Sequence, residues 1–261
     1  MRRIGSLKRV VVKIGTSALT KSDGTLDMNY MQNVARQVSS LIRGGRTVTI
    51  VSSGAIVSGM KELEIGSMPR DIPSRQAAAA VGQGILMEAW REAFRKHDMN
   101  VAQILLTYDA FSNRRSYSNL RNSMTILAKR RAVPIINEND TISIDEIEMT
   151  FGDNDKLSAM VASNTGAQLL ILLTDVNGLY TKHPRFAGAK LITDVTEITP
   201  EIVRAAGKPV SWKSKGGMKT KIDAARIAAE SNCRMVIANA HAHDVILRII
   251  KGENIGTLFT L

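Results

Sequence analysis

The feature that most constrains the fold is the alternation of short apolar runs with longer segments of helical periodicity. Six runs are predicted to be strands, because each is short, rich in β-branched or large apolar residues, and bounded by turn-forming residues. They are Arg9 to Ile14, Thr47 to Ser52, Val101 to Leu106, Val133 to Ile136, Leu169 to Thr174 and Met235 to Ala238. Several are apolar almost throughout, which indicates a mostly parallel sheet with helices on both faces. The pattern predicts an α/β fold.

Two of the intervening segments show helical periodicity most clearly, from about Ser74 to Lys96 and from Met218 to Ser231. Their predicted buried stripes consist of Val81, Ile85 and Ala89 with Leu86, Trp90 and Phe94 in the first, and Ile222, Ala225 and Ala229 in the second. No low-complexity linker and no repeat divides the 261 residues. We therefore predict one domain over residues 1–261.

The chain has 35 Lys and Arg against 24 Asp and Glu, a formal net charge of +11. Such an excess suits nucleic acid, an acidic membrane surface or acidic small molecules, but a basic solvated surface explains it equally well. The basic stretch Arg114 to Met124 contains one aromatic residue, which does not favour nucleic-acid binding. No apolar run approaches the roughly 20 residues of a membrane span. The single Cys233 cannot form an internal disulfide, so we predict a cytoplasmic protein.

Polar residues follow four of the predicted strands, where open α/β sheets bind their ligands. These exits read KIGTSAL, VSSGAI, INENDT and LLTDVNGLY. At the first exit, Lys13 ends an apolar strand and is followed by Gly15, whose neighbouring backbone N–H groups could hold a phosphate. A lysine at the sheet edge without any ligand is the simpler alternative.

The segment SKGGMKTK, from Ser214 to Lys221, places two glycines before a predicted helix and supplies three lysines. A helix N-terminus of this kind can bind an anion. The Walker A pattern GxxxxGK[ST] and the dinucleotide fingerprint GxGxxG are both absent. A nucleotide would therefore bind in another mode.

Carboxylates and amides are concentrated in INENDT and FGDNDK, which include Asn137, Asp140, Asp153, Asn154 and Asp155. They could bind an ammonium group, bind a divalent metal or orient lysines. Turn formation and helix capping are the alternative, and for Asp153 capping is at least as good an explanation. His241 and His243 lack a third ligand nearby, so we expect no protein metal site there.

In chain order, ten segments together resemble the amino acid kinase family. They are VVKIGTSAL, VSSGAIVSG, QAAAAVGQG, QILLT, RNSM, PIINENDT, GDND, LLTDVNGLY, SKGGMKTK and GTLF. The resemblance covers essentially the whole chain and implies a three-layer αβα sandwich around a mostly parallel sheet. Within the family, SSGAI, AAVGQG, PIINEND and FGDND resemble the members that transfer the γ-phosphoryl group of ATP to the side-chain carboxylate of L-glutamate, the first step of proline biosynthesis.

The resemblance also implies roles for individual residues. Lys13 and Lys221 would neutralise charge on the transferred phosphoryl group, and Asp155 would hold both lysines. The implied glutamate-binding residues are Ser53, Gly54, Ala55, Asn137, Asp140, Asp153 and Asn154, with Asp140 suited to the α-ammonium group. The implied nucleotide-binding residues are Lys13, Gly15, Thr174, Asp175, Lys215, Gly216, Gly217, Met218, Lys219, Thr220 and Lys221. Mg²⁺ would be held mainly by the ATP phosphates.

Other expectations follow from the same resemblance. L-proline would be a feedback inhibitor sensed, like glutamate, by the loop Thr141 to Phe151, and the protein would form a homo-oligomer. Lys215 stands where the family usually has threonine. Many bacterial relatives carry a C-terminal RNA-binding-like (PUA) domain, which we do not expect here. The alternatives are a family member acting on acetylglutamate, aspartate or carbamate, or a basic nucleic-acid-binding protein.

Overall fold

The computed structural model describes residue 2 and residues 7–143, 154–207 and 217–261. Their strands are β1 (Arg9–Ile14), β2 (Thr47–Ser52), β3 (Val101–Leu106), β4 (Val133–Glu138), β5 (Leu169–Thr174), β6 (Asp194–Val195), β7 (Arg234–Asn239) and β8 (Thr257–Phe259). Their helices are α1 (Thr16–Leu19), α2 (Met28–Arg43), α3 (Ala55–Glu62), α4 (Ile72–Arg95), α5 (Asp109–Ser112), α6 (Arg114–Lys129), α7 (Asn154–Thr165), α8 (Pro200–Ala205), α9 (Met218–Glu230) and α10 (Val245–Ile250).

The strands form one eight-stranded sheet in the order β3-β4-β2-β1-β5-β7-β8-β6. Neighbouring strands are parallel except β7 and β8, which pair antiparallel. The α/β class and all six predicted strands are confirmed, and β4 and β7 extend slightly beyond their predicted limits. The short strands β6 and β8 were not predicted, because two or three residues are too few to show a period.

Helices cover both faces of the sheet, as the apolar strands predicted. Alternate residues of β1 belong to two different cores, because successive strand side chains point to opposite faces. Val10, Val12 and Ile14 pack in the core formed with α2, α4 and α10. Val11 packs in the core formed with α7 and α9. The three-layer αβα arrangement is confirmed.

The two predicted helices are present, but their buried faces differ from the prediction at three positions. Val81 is exposed and Ile85 is only partly buried, whereas Leu86, Ala89, Trp90 and Phe94 are buried as predicted. In α9, Ile222 and Ala225 are buried as predicted, but Ala228 is buried in place of Ala229.

The face of α4 is set by its contact with α3, which four-residue spacing does not reveal. A Cβ added to Gly59 would lie 1.8 Å from the carbonyl oxygen of Ala78, and one added to Gly82 would lie 1.8 Å from that of Ala55. Only glycine allows the two helices to approach so closely. Small residues such as Ala78 and Gly82 therefore occupy the part of the buried face of α4 that contacts α3. Within the described ranges, none of the helices combines the length and the apolar character that a membrane span requires.

Candidate active site

The four polar strand exits lie at the same edge of the sheet. Ile14 at the end of β1 pairs in register with Ser52 of β2 and with Leu173 of β5. On the far side of β2, Val51 pairs with Ile136 of β4. Because these four strands are parallel neighbours, the residues after each of them meet at their common carboxyl end.

Two lysines at this edge share one buried carboxylate. The Nζ atom of Lys13 lies 2.7 Å from Oδ1 of Asp155, and the Nζ atom of Lys221 lies 3.0 Å from Oδ2. Asp155 is fully buried, and the two lysines are 5% and 7% exposed. The hydroxyl of Thr220 lies 2.9 Å from the same Oδ2 atom. These contacts hold both ammonium groups beside the same buried carboxylate.

Local structure explains why these three charged side chains meet. Lys13 has the same parity in β1 as Val11, so its side chain projects toward the face covered by α7 and α9. Asp155 lies in the first turn of α7, where the helix dipole favours a negative charge. Lys221 lies in the first turns of α9, one residue after Thr220. Burying an unpaired ammonium group costs several kcal/mol of folding free energy, and contact with the Asp155 carboxylate offsets this cost for both lysines.

A second cluster consists of amides and hydroxyls beside the lysine cluster. The Asn154 side-chain Nδ2 atom lies 2.9 Å from Oδ1 of Asn137, 3.1 Å from Oγ of Ser53 and 3.3 Å from the carbonyl oxygen of Ser52. Asn137 in turn donates to Oε1 of Gln83 over 2.9 Å. Asn154 and Asp155 are consecutive residues in the first turn of α7. The amide cluster and the lysine cluster therefore meet at the start of this helix.

A cavity of about 270 Å³ adjoins the amide cluster and includes Asp140 in its wall. Gln83, Gln103, Glu138 and Thr141 also line it. Glu138 accepts a hydrogen bond from the Ser143 hydroxyl over 2.7 Å. The cavity thus presents carboxylates and amides at the exits of β3 and β4.

Gly54 and Ala55 begin α3 directly after β2. Gly54 is the N-cap residue with φ of 106°, a left-handed conformation that favours glycine, and it has no side chain that could cap the helix. The N-cap residue therefore supplies no acceptor to the N–H groups of the first turn, which suits them to bind a carboxylate.

The predicted nucleotide-binding residues on β5 lie on the other side of β1. Thr174 ends β5, and its hydroxyl donates to Oδ1 of Asp175 over 3.1 Å. Gly15 caps α1, and its N–H points to the carbonyl oxygen of Leu173 at 3.4 Å. Gly217 is the N-cap residue of α9 without a side-chain cap, Met218 starts the helix and Lys219 is exposed.

Three predicted site residues, Asp153, Lys215 and Gly216, lie outside the described residues, as does most of the predicted sensing loop Thr141 to Phe151. Conversely, Gln83 and Trp90 contact the site but were not predicted to belong to it. Trp90 donates its indole N–H to Oγ of Ser52 over 2.9 Å. A glutamine on the otherwise apolar buried face of α4 was the available signal for Gln83. Trp90 gave no signal because its ring fits the core equally well.

Comparison with known proteins places the chain among kinases. The sequence model described as "Amino acid kinase family" matches residues 8–239. A protein named Glutamate 5-kinase from Methanococcoides burtonii is 55% identical over 257 residues, covering 98% of this chain and 68% of the relative. Another protein of that name, from Thermoanaerobacter sp. (strain X514), is 44% identical over 252 residues, covering 96% of this chain and 67% of the relative.

Solved structures with low sequence identity share the fold. The UMP kinase from Ureaplasma parvum superimposes with a TM-score of 0.65 at 15% identity, covering 98% of this chain and all of the other. An isopentenyl phosphate kinase superimposes with a TM-score of 0.66 at 20% identity, covering 97% of this chain and all of the other. At such identities the likeness concerns the fold alone.

Proposed function

Because the chain belongs to the amino acid kinase family and, within it, to the glutamate 5-kinases, we propose that it transfers the γ-phosphoryl group of ATP to the side-chain carboxylate of L-glutamate. The products are γ-glutamyl phosphate and ADP, and the reaction begins proline biosynthesis. The observation that carries the mechanism is the buried contact of Lys13 and Lys221 with Asp155.

The chemistry needs no general base. A glutamate carboxylate has an ordinary pKa near 4.3, so it is already ionised at neutral pH. The difficulty is to bring this anion toward the anionic phosphates of ATP. Catalysis of such a transfer therefore depends on positioning the reactants and on positive charge around the moving phosphoryl group.

Lys13 and Lys221 supply that positive charge in our proposal. Both ammonium groups are buried and held by Asp155, so they need little reorganisation when charge develops on the phosphoryl oxygens. Asp155 is a positioning residue, since it acts through the lysines. Thr220 supports it through its contact with Oδ2.

In our proposal, the glutamate site lies at the amide cluster formed around Asn154. Ser53 and the N–H groups of Gly54 and Ala55 would hold a substrate carboxylate, and Asn137 and Asn154 would orient the substrate. Asp140 would pair with the α-ammonium group from the cavity wall. Asp153 remains a proposed member of this site.

The ATP site lies in our proposal on the other side of Lys13, along Gly15, Thr174, Asp175 and the start of α9. The N-terminus of α9, from Gly217 through Lys219 and Thr220, suits the phosphates, because its N-cap residue has no side chain. Lys215 and Gly216 remain proposed members. Mg²⁺ would be held mainly by the ATP phosphates in our proposal.

A coupled ADP-release assay with L-glutamate, N-acetyl-L-glutamate and L-aspartate as acceptors tests the assignment. We expect turnover with L-glutamate, because Asp140 offers a carboxylate to a charged ammonium group, whereas an acetylated amine carries no positive charge for that carboxylate to attract. Turnover with N-acetyl-L-glutamate but not L-glutamate would contradict the assignment. Absence of ATP turnover together with salt-dependent RNA or DNA binding would favour the nucleic-acid alternative.

Several further expectations stay predictions. They are one kinase domain over residues 1–261, a homo-oligomer, a cytoplasmic location and inhibition by L-proline. Adding L-proline to the same assay tests the last of these. Exchanging the loop Thr141 to Phe151 should alter the inhibition, and unchanged inhibition would exclude that loop as the sensor.

A further inference from the structure

Gln83 occupies an unusual position for a glutamine. It lies in the middle of α4, directly after Gly82, whose backbone touches α3, and only 8% of it is exposed. Ala79 and Leu86, on the same side of the helix, are buried apolar residues. A buried amide at such a position costs free energy unless its hydrogen bonds are made.

Gln83 is the last member of a chain of three side-chain amides. Asn154 donates to Asn137 over 2.9 Å, and Asn137 donates to Oε1 of Gln83 over 2.9 Å. The chain starts at the carbonyl oxygen of Ser52, which Asn154 contacts through Nδ2 at 3.3 Å. It therefore runs from the strand exit β2 through α7 and β4 to α4.

The direction of this chain follows from hydrogen-bond chemistry. A backbone carbonyl oxygen can only accept, so the amide nitrogen of Asn154 must face Ser52 and Asn137. Asn137 must then accept with its oxygen and donate with its nitrogen, and Gln83 must accept with Oε1. Turning any one amide around would place two donors or two acceptors against each other.

This direction leaves one donor without an acceptor. Nε2 of Gln83 is buried and has no hydrogen-bond partner among the described residues. An unsatisfied buried donor costs about 1–3 kcal/mol. An apolar side chain at this position would avoid that cost, so Oε1 must do something that an apolar residue cannot.

Deepening the proposed function on which it rests, we propose that Gln83 is a positioning residue for the acceptor substrate. By accepting from Asn137, it fixes the orientation of the amides of Asn137 and Asn154. The Nδ2 atom of Asn154 is then committed to Ser52, Ser53 and Asn137, and its Oδ1 atom accepts no hydrogen bond from the described residues. An acceptor oxygen at this place suits the ammonium end of an amino acid.

Helix α4 contacts the site at a second point, seven residues further on. Trp90 lies two turns after Gln83, on the same face, and donates to Oγ of Ser52. The helix thus contacts both ends of the amide chain. Replacing Gln83 should loosen one end while Trp90 still anchors the other.

The test compares Gln83→Met and Gln83→Asn with the wild type. The first variant removes the acceptor, and the second shortens the side chain by one methylene group so that its oxygen no longer reaches Asn137. We expect the KM for the acceptor to rise about tenfold in both, the worth of one buried hydrogen bond, with the KM for ATP within about twofold. If Gln83→Met does not fold, the KM values of Gln83→Asn alone test the proposal.

Gln37→Met is the matched control. Gln37 is a glutamine that is 1% exposed, and its Oε1 accepts from the N–H of Ile246 in α10, so its contact lies outside the amide cluster. We expect this variant to lose stability without any change in the KM for the acceptor. An equal rise in that KM for Gln37→Met would show a merely structural effect and overturn the proposal.

A second readout separates this proposal from the proposed function. The acceptor in the assay is whichever of the three acids the wild type phosphorylates. A wrong substrate assignment would therefore be detected with the wild type alone, before any variant is compared with it. NMR exchange of the side-chain amide protons of Asn137 needs no substrate at all. We expect protected protons in the wild type and faster exchange in both Gln83 variants. Unchanged protection with an unchanged KM would overturn the proposal.

Discussion

Positive charge lies at both ends of the parallel strands, and the two ends hold it differently. At the carboxyl end, Lys13 and Lys221 are buried and both contact Asp155. At the amino end, exposed arginines surround a cavity of about 330 Å³ beside the starts of β3 and β4. The residues lining this amino-end cavity are Arg43, His97, Asp98, Met99, Asn100, Arg130 and Arg131.

In the mechanism that we propose, this difference decides which charges can assist catalysis. Exposed charges are screened by water and salt and can change rotamer freely, so they attract anions without placing them. Buried lysines fixed by one carboxylate keep their geometry, and the dry surroundings would strengthen their proposed action on a phosphoryl group. The net charge of +11 counts both kinds equally.

The sharpest test of this comparison removes the buried charges. Lys13→Met and Lys221→Met preserve most of the side-chain volume, and we expect each to lower turnover by about 10²–10³-fold, as for loss of one group that stabilises transition-state charge. Lys8→Met is the matched control, because Lys8 is exposed at the opposite end of β1. Its turnover should match the wild type in the coupled ADP-release assay. Near-normal turnover in either buried-lysine variant would remove that lysine from the mechanism.

Replacing the shared carboxylate should have the next largest effect. Asp155→Asn keeps the shape but removes the negative charge between two ammonium groups. We expect turnover to fall by about 10–100-fold, since both lysines lose their fixed point, and the free energy of unfolding to fall by about 3 kcal/mol. Steady-state kinetics and urea unfolding measure the two effects. A stability loss with unchanged kcat would mean that Asp155 is purely structural.

A smaller effect is expected at His97 in the amino-end cavity. Partial burial, and then the charges of Arg43 and Arg36, lower the pKa of its imidazole below the ordinary 6.5. The unfolded chain therefore takes up this proton at a higher pH than the folded chain, so stability rises with pH through that window. The contribution is complete above pH 6.5 and is lost as the pH falls through the folded pKa. Urea unfolding of His97→Gln between about pH 5 and 8 should show a flatter dependence than the wild type.

The smallest effect on turnover is expected for the exposed arginines. The double variant Arg130→Ala/Arg131→Ala removes two charges that have no ion pair in the described part of the chain. We expect turnover within about twofold of the wild type in the ADP-release assay, because exposed charges are largely screened. A tenfold loss would show that the amino end of the sheet takes part in the reaction.

The sequence predicted much of the fold and of the candidate site because both depend on local patterns. The six longer strands are visible as short apolar runs, and α4 and α9 are visible as segments of helical periodicity. Lys13 was marked by a charge at the end of an apolar run, and Asn137 and Asp155 by polar residues in dense clusters. The short strands β6 and β8 were missed because they exist through pairing and not through a period of their own.

The sequence by itself determined the α/β layering, the edge of the sheet where polar residues collect and the residue types that suit a kinase of acidic amino acids. Only the tertiary structure decided which of these residues touch. It joined Lys13 to Asp155 across 142 positions of the chain and turned the face of α4 so that Gln83, and not Val81, is buried. The physical reason is that periodicity indicates which side of a single helix or strand is buried. The pairing of charges and the close approach of helices depend instead on contacts between elements that are distant in the chain.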